Sequence, residues 1–351
     1  TGPAPGPVEI MPGDVPKARK VALLERADSA ARGSDGAVTQ VAVRYADSHR
    51  RIQVANSDGL LTGDRQVRTL FSVSCVASGD MGMQTGRESI GHTLGFEVFD
   101  EVDVEDLARR AAGRALLKLE AVPAPSGEMP VVIGPGGGGV LFHEACGHGL
   151  EADLVAKSAS VFAGRCGEVV AAPIVTLVDD GTMPGEWGRY AIDDEGRPAQ
   201  RNVLINEGVL TDYMWDHLRA RREGRASSGN GRRQGYRHLP MVRMTNTYLG
   251  VGDADPDEII ADTTHGVYVA QLGGGQVNTA TGDFVFGMTE AYRSKMVASP
   301  TRSATATSSA TDPRPSSTST PSPATSPWAL LEPAARTARG FPSATAPRRS
   351  E

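Results

Sequence analysis

The apolar and polar positions change period several times along this chain, and each change predicts an element. Over residues 17–33, Val21, Leu23, Leu24 and Ala27 recur at roughly helical spacing, and Gly33 supplies a stop. The period then falls to two. Residues 38–44 and 51–55 alternate as half-buried strands, Ser57-Asp58-Gly59 signals a turn, and residues 67–76 read as another strand. Residues 80–93 hold several glycines and polar residues beside Met81 and Met83, and read as loop with a short strand. Helical period returns over residues 104–119, where Glu105 and Asp106 sit at the positive end of the helix dipole. Pro123, Pro125 and Gly127 then mark a boundary.

Residues 129–133 read as a buried strand. A glycine-rich loop, Gly134-Pro135-Gly136-Gly137-Gly138-Gly139, follows, and then a helix over about 140–154. From residue 160 the pattern is mainly β, with strand-like runs at 173–178, 203–205 and 209–214. A short helix from Asp216 precedes a basic, glycine-rich loop at 225–239. Residues 267–272, 276–279 and 284–288 read as strands around Gly273-Gly274-Gly275 and the Thr281-Gly282-Asp283 turn. Beyond Tyr292 the chain is mostly Ser, Thr, Pro, Ala and Arg, too poor in large apolar side chains to offset the entropy of ordering.

The fold class expected from these elements is α+β: a small α/β domain followed by a β-rich domain bearing the helix over about 140–154, where the candidate metal-binding residues lie. The expected divisions are 1–16, a linker or the end of a truncated N-terminal domain; 17–122, a central α/β domain; 126–292, the β-rich domain; and 293–351, a disordered tail. The first residue is Thr1, which predicts a preceding segment.

Charge narrows the partners. A net charge of −6 and a pI of about 5.7 argue against nucleic acid, whose phosphates need a basic face. No apolar run approaches the ~20 residues that span a bilayer, and no signal peptide opens the chain. Cys75, Cys146 and Cys166 are an odd number without scaffold spacing, which predicts a reducing, cytoplasmic setting.

The chemistry concentrates in His143-Glu144-Ala145-Cys146-Gly147-His148. Imidazole is the commonest protein ligand for zinc, and an adjacent carboxylate can take a proton from an attacking water. His143 and His148 are candidate ligands and Glu144 the candidate base. Five residues advance an ideal helix by about 500°, leaving the two imidazoles about 140° apart. Convergence on one ion therefore requires a wide turn or a local break, for which a π-type bulge near Gly147 is suited. Glu151 would point between the histidines, as a substitute ligand or as a support behind them. The alternative is two histidines falling by chance near a helix end.

Other features are open to two readings each. The glycine loop lacks the Gly-Lys-Ser/Thr ending of a nucleotide loop, so close backbone approach suits it better than phosphate binding. Arg232, Arg233, Arg237 and His238 form a carboxylate site or a solvated loop. Gly273, Gly274, Gly275 and Gln276 offer little side-chain bulk, as a substrate backbone added to a strand would need, or they make a tight sheet bend. Cys146 reads as packing.

The blocks HEACGHGLEAD (143–153), VDDGTMPG (178–185), IDDEGRPAQ (192–200), GNGRRQGYRHLPMVRMTNTY (229–248) and GGGQVNTATGDFVF (273–286) resemble the TldD/PmbA family, formerly called modulators of DNA gyrase and regarded as metallopeptidases. The resemblance covers most of residues 17–292, and the His-Glu-x-x-x-His motif places it with the TldD-like catalytic branch. It implies that His143 and His148 bind Zn2+ and that Glu144 is the general base. It further implies cleavage of unfolded peptides in a closed cleft, within a heterodimer containing a PmbA-like (TldE) subunit. Maturation of peptide antibiotics and degradation of antitoxins are the implied roles.

One departure concerns the third ligand. In the resembling family this is a cysteine in a C-terminal Cys-Gly-Lys-Asp-Gly-Gln-type block, and no such block is present here. Joining the third base of each codon to the first two of the next allows residues 333–346 to encode that block. Residues 306–312 can encode Asn-Leu-Ile-Gly-Asn-Gly in the same frame. The expectation is a frameshift near Tyr292–Arg293, which would leave 293–351 out of frame; nucleotide codons incompatible with the shifted reading would refute it.

Overall fold

A computed structural model of the chain describes residues 8–80 and 82–293. In chain order the elements begin with α1 (Lys17–Arg32), β1 (Val38–Ala55), β2 (Leu61–Gly79), β3 (Gly82–His92), α2 (Val98–Glu101) and α3 (Val104–Leu119). There follow β4 (Val131–Ile133), α4 (Pro135–Phe142), α5 (Ala152–Val155), β5 (Leu177–Asp180), β6 (Arg201–Asn206) and β7 (Val209–Leu210). The last are α6 (His217–Arg222), β8 (Gly231–Arg232), β9 (Met241–Val242), β10 (Thr247–Leu249), α7 (Pro256–Asp262), β11 (Val267–Asn278) and β12 (Asp283–Arg293). The architecture is α+β, as the periodicity predicts. The tail expected from residue 293 lies outside the described residues, apart from Arg293 at the end of β12.

Two compact units divide the chain. The first gathers residues up to Ala121 with Asp180–Arg201 and Trp215–Asn246; the second gathers Val122–Asp179, Asn202–Met214 and residues from Thr247 onward.

The first unit is built on an antiparallel sheet in the order β1-β2-β3. Alternate residues of β2, from Phe71 through Val73 and Cys75 to Ala77, are fully buried, as a period of two requires. Against them α3 lays Leu107, Ala108, Ala111, Ala112 and Ala115, and α1 adds Leu23, Ala27 and Ala31. These small residues recur at helical spacing, so the helices can lie close to the sheet. Residues 8–16 also dock here: Phe96 N donates to Ile10 O at 2.8 Å, and Ile10 N to Glu97 Oε2 at 2.9 Å.

Two local expectations change. The two short strands predicted at 38–44 and 51–55 are one strand, paired with β2 as far as Ala55. Residues 82–92 are a full strand rather than loop. Their glycines are packing sites: a Cβ on Gly86 would collide with Ala111 O of α3, and one on Gly91 would stand 2.9 Å from the Trp187 ring. Glycine here marks close approach of another element, not a chain break.

The second unit has two sheets. In one, β11 pairs antiparallel with β12 and, over Val267–Val269, parallel with β4. Val267, Val269 and Ala291 form its core with Met129, Val131, Leu272 and Met288. The other sheet runs β10-β5-β6-β7, and every residue of β5 is buried. The segment carrying the histidines packs on these sheets, with α4 against β10 and β11.

Candidate metal centre

Residues 135–139, predicted as loop, are the first turns of α4. Pro135 occupies the first helical turn, where its fixed φ suits the helix and its missing N–H costs nothing. Each glycine costs about 1 kcal/mol of helix propensity, which the packing on β11 offsets. Gly134 is a site of close approach: its N donates to Val269 O at 2.8 Å, and a Cβ there would meet the Tyr268 hydroxyl. Gly138 and Gly139 face open space.

At His143 the helix widens. His143–Gly147 form one π-type turn, closed by a hydrogen bond from His148 N to His143 O. His148–Leu150 then tighten into a 3-10 turn, Glu151 is extended, and α5 begins. The predicted continuous helix over 140–154 is thus broken where convergence of the histidines requires it. A five-residue turn stacks residue i over i+5. The His143 and His148 rings accordingly lie with centroids 4.8 Å apart and planes at 86°.

Donor atoms of His143, Glu144 and His148 all lie within 4.8 Å of one another, and all three side chains are half-buried. His148 Nε2 is 3.8 Å from Glu144 Oε2, too far for a direct hydrogen bond. On its other side His148 Nδ1 is 3.4 Å from Glu151 Oε2. Glu151 is 1% exposed, so its carboxylate holds that ring from the protein interior. It stands behind His148, not among the converging donors.

The surrounding segment is fixed by contacts that sequence spacing does not reveal. Ala152 N donates to Met214 O and Met214 N to Leu150 O, at 3.0 and 2.9 Å. Ser160 Oγ donates to Gly149 O at 2.5 Å, and Phe162 lies where a Cβ on Gly149 would fall. Met214 lies far along the chain from the motif, Ser160 and Phe162 follow α5, and no local pattern marks any of them as its supports. Cys146 is fully buried, and burial pushes its thiol up to about 12. It is not among the converging donors.

The remaining predicted residues are dispersed. Gly273, Gly274, Gly275 and Gln276 lie in β11 at an irregularity of the pairing between Leu272 and Gly275. Gly275 is packed under Phe286 and Gly273 against Thr289, whereas Gly274 is open. Arg233 and His238 belong to the first unit. Arg233 N donates to Asp194 Oδ2 at 2.8 Å, and His238 is exposed.

Fold and site together define an α+β protein whose helix opens into a turn bearing two histidines and a glutamate of metal-ligand type. Residues 126–311 match the model described as PmbA/TldA metallopeptidase C-terminal domain, and residues 10–119 match its central domain. The chain belongs to the PmbA/TldD metallopeptidase family. It is 43% identical over 281 residues to a protein named metalloprotease TldD homolog from Haemophilus influenzae, covering 79% of this chain and 58% of that relative. A metalloprotease of Methanothermobacter thermautotrophicus is 40% identical over 282 residues, 80% of this chain and 61% of its own length. The chain thus spans about three fifths of these relatives. Its fold is similar to that of TldE from Thermococcus kodakarensis, with TM-score 0.67 and 24% identity over 85% of this chain and 68% of that one. A Thermotoga maritima protein described as a modulator of a DNA gyrase gives TM-score 0.70 and 22% identity, over 84% and 68% of the two chains.

Proposed function

We propose that this chain is the TldD-like subunit of a zinc-dependent peptidase that cleaves unfolded peptides. The observation that carries the reading is the convergence of His143, Glu144 and His148 across the π turn. Two ligands each 2.0–2.1 Å from a zinc ion lie at most about 4.2 Å apart, so donors already within 4.8 Å need only small side-chain adjustments. The donor set fits zinc: two imidazoles as ligands and a carboxylate beside them.

His143 and His148 would hold the ion. When bound, zinc supplies Lewis acidity, making a coordinated water acidic near neutral pH and polarising the scissile carbonyl. Glu144 Oε2 accepts the proton of the attacking water and returns it to the leaving amine. Glu151 orients His148 by accepting from Nδ1–H, so that Nε2 would be the atom offered to the ion. The substrate backbone adds as a strand to β11. Beyond Val269 the edge opposite β12 carries no strand among the described residues, and Gly274, Gly275 and Gln276 are exposed there. Arg233 and His238 are proposed to meet the substrate's polar groups. A PmbA/TldE-like subunit completes the enzyme, and the setting is cytoplasmic. Among the described residues no helix is long and apolar enough to cross a membrane.

A second reading is a non-catalytic peptide-binding subunit. It is favoured by the sequence, which holds no cysteine beyond Cys166 to serve as the third ligand the family implies. Zinc content and cleavage of an unfolded peptide, compared between the parent chain and Glu144→Gln, separate the two. Stoichiometric zinc with Glu144-dependent cleavage supports the peptidase. Peptide binding without zinc or cleavage would replace it with the binding role.

A further inference from the structure

The first unit contains a small, partly open pocket whose lining includes Arg50, Arg68 and Arg232, with Asp193 and Asp194 on its wall. The register of the sheet builds it. Arg50 lies opposite Gln66 and Ser48 opposite Arg68, so Arg50 and Arg68 project from the same face of β1-β2. Residues 190–194 cross that face, tied by Ala191 N to Asp64 Oδ2 at 3.0 Å.

The charges are unequal in their pairing. Arg50 pairs with the buried Asp194, which also accepts from Arg233 N at 2.8 Å. Arg232 Nη1 donates to Met244 O at 3.2 Å. Asp193 is fully engaged by backbone, accepting from the N–H groups of Glu195, Arg197 and Gly231. Arg68 is the exception. Its guanidinium lies 5.2 Å from the Trp187 ring centroid, and its buried Nε has no hydrogen-bond partner among the described residues. Burial first, then Arg232 and Arg50, hold its pKa below the ordinary value. Of the three guanidinium groups, Arg50 is paired with a carboxylate, Asp194, which the backbone N–H of Arg233 also caps, whereas Arg232 rests on a carbonyl and Arg68 on a ring face.

A guanidinium stays charged in a protein, and a recessed charge without an anion is costly. Its planar fork matches the two oxygens of a carboxylate. Asp194 on the same wall opposes a phosphate dianion more than a monoanion. We propose that this cavity binds the carboxylate of a peptide, a C-terminus or an acidic side chain, through Arg68 and Arg232. The proposal is independent of the metal centre.

Titration calorimetry of the full chain, at constant ionic strength, compares acetate with its neutral isostere acetamide. Saturable heat with acetate and none with acetamide is expected, and Arg68→Met weakens acetate binding by about tenfold or more. Peptides with a free or an amidated C-terminus, and an amidated peptide carrying one glutamate, identify the source. Binding of the free acid alone assigns the C-terminus, and binding of the amidated glutamate peptide assigns the side chain. Equal behaviour of acetate and acetamide, or acetate binding unchanged in a folded Arg68→Met, overturns the proposal. Where Arg68→Met does not fold, the acetate–acetamide comparison on the parent chain decides it.

Discussion

His148 N–H donates to His143 O across a five-residue turn, and the imidazoles of the same two residues stand 4.8 Å apart. One backbone hydrogen bond therefore sets the spacing of the candidate ligand pair. The outer imidazole of the pair is held in turn by Glu151, 3.4 Å from His148 Nδ1. Such carboxylate supports typically contribute 10–100-fold to metal affinity. Glu151→Gln is expected to weaken zinc binding by about that factor, read by competition with a chromophoric chelator. Glu144→Gln, which alters the proposed base and not a ligand, is expected to stay near the parent affinity. Unchanged affinity in Glu151→Gln would remove the supporting role.

Cys146 lies between the two histidines in sequence but inside the core in space. Cys146→Ala trims a small buried group and leaves zinc affinity unchanged. Cys146→Ser buries a hydroxyl where a thiol packed, at a cost of about 1–3 kcal/mol if the hydroxyl finds no partner. Denaturation midpoints and zinc titrations of both variants check this. A large loss of zinc in Cys146→Ala would make the thiol a ligand and contradict the geometry.

Gly86 and Gly113 make a matched pair on opposite sides of the α3 contact. A Cβ on Gly86 would strike the α3 backbone at Ala111, whereas one on Gly113 meets nothing within 4 Å. Gly86→Ala is expected to destabilise by about 1–3 kcal/mol or more, as overpacking does. Gly113→Ala, at an exposed position of the helix, is expected to stabilise by up to about 1 kcal/mol. Urea midpoints at unchanged slope test both; equal effects would mean that the close approach of α3 to β3 is absent.

The same pair shows what was legible in the sequence. Residues 104–119 carry a strong helical period and a first turn rich in acid, and α3 occupies that range. Residues 82–92 carry a strand, yet read as loop, because a glycine demanded by a neighbouring helix looks like a glycine demanded by a turn. The error at 135–139 runs the same way: four glycines suggest a loop, and tertiary packing makes them a helix. The histidine motif was legible because its chemistry is local, down to the break its spacing requires. Its supports were not, since Ser160, Phe162 and Met214 reach it through folding alone. Of the arginine pocket only Arg232 was legible, as part of a basic loop; Arg50 and Arg68 join it through strand register and a distant segment.

Asp193 gives the first unit a pH dependence. Burial pushes its carboxyl up to about 7, outweighing the backbone N–H groups of Arg197, Gly231 and Glu195 that favour the charged form. An unfolded aspartate titrates near 3.9. Between those values the folded state binds more protons than the unfolded one, so this group's contribution to stability falls as pH rises. The contribution is complete below about pH 4 and lost once pH passes about 7. Glu195, also raised mainly by burial, adds a slope of the same sign. Asp193→Asn removes one titrating group and places an amide against Gly231 N–H, which now meets Asp193 Oδ2 at 2.9 Å. The stability of the variant therefore falls less steeply than the parent's between pH 4 and 7. Urea midpoints across that range, with parent and variant side by side, measure the difference in slope. Parallel curves would mean that Asp193 is ionised throughout and that its three backbone donors outweigh its burial.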